Sequence, residues 1–182
     1  YTFAHSIEML LPYHVKHYEP VQKEISNILH NGGDVTQVFQ FLRLDNQYFG
    51  GGCSAIDSVK LLDIGVPTSN LGAMTCPLAR SFAAWANFAV RPAARQFFGA
   101  EVVKIETMGT YSCRNVNGAA TGRLSQHASS NAVDVSGFVL SDGRRITVLR
   151  DWNGDAKAQG FLRALQKSAC RRFGTVLSPD YN

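Results

Sequence analysis

The chain has 182 residues, enough for one domain with its own core. Hydrophobic residues make up 45% and charged residues 18%, a balance that excludes a disordered polymer. The formal charge of +4 and pI of about 9.0 favour anionic surfaces such as cell-wall polymer. Lys and Arg are scattered without aromatic interleaving, so no nucleic-acid partner is expected. No apolar run reaches the roughly 18 residues of a membrane span, and membrane contact is expected only through an anchor upstream of Tyr1.

In chain order, residues 1–50 differ from the rest. They hold four of the five histidines and are punctuated by Pro12 and Pro20. Val21, Ile25, Ile28 and Leu29 share one face at helical spacing, before a Gly32-Gly33 stop. This region reads as an N-terminal helical extension and a docking segment for a protein partner. His14 and His17 read as surface residues, because no third ligand lies near them. A boundary is expected at residues 50–52, leaving residues 51–182 as the main domain.

Residues 59–64 are a strand candidate. A helix is expected from Cys76, capped by Thr75, with Pro77 in its first turn. Leu78, Phe82, Trp85 and Ala89 form its apolar face, Pro92 predicts a kink and Gly99 a stop. Residues 102–108 alternate as a strand. A Gly/Ser/Asn-rich loop fills residues 109–130. The turn Ser141-Asp142-Gly143 predicts a hairpin between Ala132–Leu140 and residues 144–149. Residues 155–173 read as a second helix, ended by Gly174, and Thr175–Leu177 as a last strand.

The chemistry concentrates where the polar loop enters the apolar strand. His127 and Asp134 are separated by six residues, and Asp134 interrupts an otherwise apolar run. Imidazole and carboxylate suit a zinc ion with an open position, and a buried carboxylate needs a partner. A His–Asp pair without metal satisfies the same spacing. The four cysteines have no CxxC spacing, which fits disulfides in an oxidising compartment; they allow three connectivities.

Ser125-x-His127-x6-Asp134, with Ala132 two before the Asp, resembles the S-x-H-x-x-G-x-A-x-D signature of the LAS metallopeptidases: lysostaphin, D-Ala-D-Ala peptidases and sonic hedgehog. Several segments resemble one branch, the bacterial extensin-like C-terminal domain family. They are Cys76-Pro77-Leu78-Ala79, Tyr111-Ser112-Cys113-Arg114-Asn115, Gly122-Arg123-Leu124-Ser125-Gln126-His127, Asp142-Gly143-Arg144-Arg145-Ile146, Val148-Leu149-Arg150-Asp151-Trp152 and Ala169-Cys170-Arg171. The likeness spans about residues 52–182.

The resemblance implies an α+β fold like that of hedgehog and the D-Ala-D-Ala peptidases, a small antiparallel sheet with helices packed on one face. It implies Zn2+ bound by His127 and Asp134, with Ser125 behind them. Arg114 is expected at the developing oxyanion and Arg123 at a substrate carboxylate. The third ligand would be a histidine from a later His-x-His. No histidine follows His127, so that ligand is expected beyond Asn182, and Ser130 stands where the signature has glycine. The family pattern suggests disulfides Cys53–Cys76 and Cys113–Cys170.

The implied activity is hydrolysis of a peptide bond in peptidoglycan stem peptides or crosslinks, by a periplasmic or secreted protein of a Gram-negative bacterium. The alternative is a non-catalytic peptidoglycan-binding or assembly subunit with an incomplete metal site.

Overall fold

The computed structural model describes residues 7–10 and 40–181. Its elements are strands β1 (Ile7–Leu10), β2 (Gln40–Arg43), β3 (Gln47–Gly50), β4 (Cys53–Ala55), β5 (Ser58–Asp63), β6 (Thr68–Ser69) and β7 (Met74–Thr75), then helices α1 (Cys76–Trp85) and α2 (Arg91–Phe98). Strands β8 (Val102–Gly109), β9 (Ala132–Leu140) and β10 (Arg145–Thr147) follow, then helices α3 (Val148–Asp151) and α4 (Ala156–Ala169) and strand β11 (Thr175–Leu177). The mixture is α+β.

The main sheet runs β11-β1-β9-β8-β6, and β10 also pairs β9. The nine-residue β9 organises it. One side pairs antiparallel with β8; the other gives its first half to β1 and its second half to β10. The step from Glu106↔Gly137 to Thr107↔Val135 leaves Ser136 as an extra residue on β9. Such a bulge reverses the side-chain alternation. Val133 and Val135 therefore face the core before it, and Phe138 and Leu140 after it, all fully buried. Gly137 suits this bend, because a Cβ there would lie 2.9 Å from the Ile146 carbonyl oxygen.

Helices α1, α2 and α4 cover the core face. Trp85 stacks near Phe138 at 6.3 Å, and Phe138 meets Phe161 edge-on at 5.2 Å. Trp85 Nε1 donates to the Leu165 carbonyl at 3.3 Å, so the indole enters the core with its polar atom paired. Truncating Phe138 to alanine would cost about 3–5 kcal/mol at such a position.

The expected disturbance at Pro92 is a π-helical turn over Ala86–Val90, in which the Arg91 N–H bonds back to Ala86. Pro92 has no N–H to give, and the widened turn accommodates its ring. Gly99 ends α2 with φ +65°. Asp155 caps α4 by accepting from the N–H groups of Lys157 and Ala158. Thr75 precedes α1 but does not cap it with its side chain; its hydroxyl donates to Asn131 Oδ1 at 2.8 Å.

Three expectations are corrected. First, the described parts of residues 1–50 are not a helical extension. Strand β1 lies inside the main sheet, β2 pairs β5 and β3 pairs β4. Ile7 and Met9 are apolar residues two apart, a strand pattern, and both are fully buried. The helix expected over residues 21–29 and the histidines His14 and His17 lie outside the described residues. Second, the hairpin's return strand stops at Thr147. Thr147 Oγ1 accepts from the Arg150 N–H while Asp151 Oδ2 accepts from the Thr147 N–H, and this reciprocal cap starts α3.

Third, the disulfide joins Cys53 to Cys113, not Cys76, and Cys76 and Cys170 are free thiols. Strand β4 packs beside the turn that holds His127, which brings Cys53 to the loop carrying Cys113. Restricting a chain over 60 residues stabilises by about 4 kcal/mol. Non-reducing peptide mapping should recover Cys53 joined to Cys113. The double variant Cys53→Ala/Cys113→Ala should lose about 4 kcal/mol in urea unfolding; an unchanged midpoint would contradict this role.

Candidate metal centre

The site grows from a short 3-10 turn, Gln126–Ser129. Ser125 caps it, its Oγ accepting from the His127 N–H at 3.3 Å. The His127 carbonyl accepts from the N–H of Ser112, at 3.1 Å, and of Ser130. Asn131 bonds back to Gln126 through its N–H and Nδ2, and the Thr75 N–H donates to the Ser130 carbonyl. The turn is thus fastened both to the Tyr111–Arg114 stretch and to the start of α1, fixing where the imidazole enters.

Ser130 has φ +56° and ψ +26°, in the left-handed region. Here the signature carries glycine, which enters that region without the steric penalty of a Cβ. The buried Ser130 Oγ also has no hydrogen-bond partner.

Two further elements complete the cluster. With Val133 and Val135 turned into the core, Asp134 projects from the opposite face of β9. Glu8 stands directly across the ladder from Asp134 on β1, and its flanks Ile7 and Met9 are buried on the core side. On the other side of Asp134 its partner in β8 is Gly109, brought there by a bulge at Met108, so the residue directly opposite the carboxylate carries no side chain.

His127 is 2% exposed and Glu8 6%. Nδ1 of His127 lies 3.2 Å from the Thr110 carbonyl oxygen. Donation to that acceptor fixes the tautomer and leaves Nε2 for the carboxylates. Nε2 is 3.3 Å from Glu8 Oε1 and 3.3 Å from Asp134 Oδ2. Neither approach makes a hydrogen bond, so this buried nitrogen is unpartnered in that sense. One donor atom from each of the three residues lies within 4.8 Å of the others.

These residues fit a divalent cation. Ligands at about 2.1 Å in a tetrahedron stand about 3.4 Å apart, close to both nitrogen–oxygen separations. The orphaned Nε2 faces the carboxylates, and two like charges opposite each other in a ladder repel unless a cation intervenes. In the metal-free protein the proton does part of that work. Burial acts to lower the His127 pKa, but the adjoining Asp134 and Glu8 carboxylates outweigh it and raise it to about 9.

The other expected residues lie close by in the chain. Arg114 and Arg123 flank a two-stranded bridge at Asn115↔Leu124, in which the Ser125 N–H donates to the Arg114 carbonyl and the Val116 N–H to the Arg123 carbonyl. Arg114 is half-buried and Arg123 exposed, and no ion pair of either is found among the described residues. The structure brings His127 and Asp134 together, places Ser125 at the cap of the turn, and adds Glu8, which sequence reasoning did not name. The missed signal is the one that singled out Asp134, a lone carboxylate in an alternating apolar run, here Ile7-Glu8-Met9.

The family model for the extensin-like protein C-terminus matches residues 33–182, and the chain belongs to that family. No curated protein and no solved structure matches it.

Two measurements test this local structure. Ser130→Gly should stabilise the protein by about 1 kcal/mol in urea unfolding, by relieving the left-handed serine and removing an unpaired hydroxyl; destabilisation would contradict it. The raised His127 pKa gives a second test. A group whose folded pKa exceeds its unfolded value of about 6.5 stabilises fully below that value. Its contribution is then lost as pH rises through about 9. Metal-free protein should therefore lose stability between these limits, by at most about 3 kcal/mol. His127→Gln should flatten that slope, and an unchanged slope would contradict the assignment.

Proposed function

We propose that the protein is a zinc-dependent peptidase acting on peptide bonds of peptidoglycan stem peptides or crosslinks, outside the cytoplasm of a Gram-negative bacterium. The observation that carries this reading is the convergence of the His127 imidazole and the Asp134 carboxylate, with the buried Nε2, which makes no hydrogen bond, facing the shared space. The Ser125-x-His127-x6-Asp134 spacing supports a LAS-type site, and with it a hedgehog-like reading of the sheet. The disulfide and the family membership support the extracytoplasmic location.

A zinc ion held there supplies Lewis acidity, polarising a scissile carbonyl and bringing the pKa of water toward neutrality. The chain's own groups do the positioning. The Thr110 carbonyl aligns His127, and Ser125 fixes the backbone of the turn. Gly109 leaves the β8 position directly opposite Asp134 without a side chain. Arg114, without an ion pair among the described residues, is assigned to the oxyanion of the tetrahedral intermediate, and Arg123 to a substrate carboxylate.

The geometry also allows the non-catalytic wall-binding alternative: Glu8 and Asp134 flank His127 Nε2 closely enough to raise its pKa, so that an imidazolium can balance part of the carboxylate charge. Metal content and muropeptide digestion separate the two. Protein purified without chelator should carry about one zinc per chain and cleave muropeptides. His127→Ala should lose the zinc and lower cleavage by more than about a hundredfold, beyond the 10–100-fold typical of outer-shell changes. Arg114→Ala should keep the zinc and lower kcat by about a hundredfold or more. Zinc-free wild-type protein that binds peptidoglycan without cleaving it would establish the alternative.

A further inference from the structure

We propose that Glu8 is the third protein ligand of the cation, and that the cation fastens β1 into the main sheet. The inference rests on the metal-site reading of His127 and Asp134 and adds to it a residue and a regulatory consequence.

Three observations carry it. Glu8 lies opposite Asp134 in the β1–β9 ladder, so two carboxylates are held side by side by the register itself. Both find their only charged partner among the described residues in one imidazole, each 3.3 Å from His127 Nε2. That nitrogen is buried, makes no hydrogen bond and faces both of them. One imidazolium balances one carboxylate; a divalent cation balances two and takes donors from all three residues. Imidazole and carboxylate are each ordinary ligands for first-row divalent ions.

The regulatory consequence follows from where Glu8 sits. Strand β1 has four residues and bridges β9 and β11. Ile7 and Met9 hold it through the core, while Glu8 works against docking by bringing a second negative charge to Asp134. A cation that contacts Glu8 only when β1 is docked must favour docking by the same factor by which docking favours the cation. The metal site is therefore complete only with β1 in place, and metal availability sets how firmly the β9–β1–β11 region is closed.

The experiment uses the full chain and zinc as the probe. Zinc affinity is measured by competition with a chromophoric chelator for wild type, Glu8→Gln, Glu8→Asp and His127→Ala. Amide hydrogen exchange of residues 7–10 is followed with and without zinc. Glu8→Gln keeps the side-chain shape and removes a repulsive charge, so it should fold; Glu8→Asp keeps the charge and withdraws the oxygens by one methylene.

Both Glu8 variants should bind zinc at least about tenfold more weakly than wild type. Saturating zinc should slow exchange in β1 by about that same factor, at least about tenfold, in wild type and far less in Glu8→Gln. Wild-type zinc affinity in both Glu8 variants, with binding abolished in His127→Ala, would overturn the role of Glu8 while leaving the metal site standing. Exchange in β1 that ignores zinc in wild type would overturn the fastening. Absence of zinc binding in the wild type would overturn the metal-site reading, and this inference with it.

Discussion

Two carboxylates, Glu8 buried and Asp134 partly exposed, face each other across the β1–β9 ladder, and the site is organised around that repulsion. Glu8 and Asp134 are held together while β1 is docked, because Ile7 and Met9 on one strand and Val133 and Val135 on the other are buried in the core by alternation. Such a pair of like charges, one of them buried, is stabilised by positive charge between them. His127 is delivered to that place by a turn tied down at Ser125, Ser130 and Asn131, with its far nitrogen held by the Thr110 carbonyl. Each of these contacts settles where one ring nitrogen points.

The sheet supplies the setting through its irregularities. The bulge at Ser136 lets β9 present apolar residues to the helices along its whole length while turning Asp134 outward. The bulge at Met108 brings a glycine opposite Asp134, so the residue facing the carboxylate there carries no side chain. Regular strands would have placed a side chain there. Such departures from ideal pairing are where a sheet re-aims its side chains. The Cys53–Cys113 bridge holds the arginine-bearing loop against the same region from the other side.

Much of this was legible in the sequence where the signal was local. The helical stretch from Pro77 to Gly99, disturbed near Pro92, the β9–β10 turn, the helix beginning at residue 155 and the approach of His127 to Asp134 all follow from spacing and residue type. The misreadings concern contacts between distant segments. Glu8 lies 126 positions before Asp134, and no periodicity reveals which strand a four-residue segment will join. The cysteine pairing failed for a related reason: connectivity depends on which loops meet, and β4 meets the His127 turn rather than the start of α1. Residues 148 and 149 were read as strand because their side chains are apolar, whereas the Thr147–Asp151 cap turns the backbone into a helix. Ser130, which the resemblance to the LAS signature aligns with a glycine, is where the chain enters the left-handed region.

Membership of the extensin-like family leaves the chemistry to be read from the cluster itself. The most direct test is an anomalous difference map, collected at the zinc edge from crystals grown with zinc. The account predicts a single peak in contact with His127 Nε2 and with the carboxylates of Asp134 and Glu8. A map without a peak there, in which Nε2 keeps its distance of 3.3 Å to both carboxylates, would contradict it.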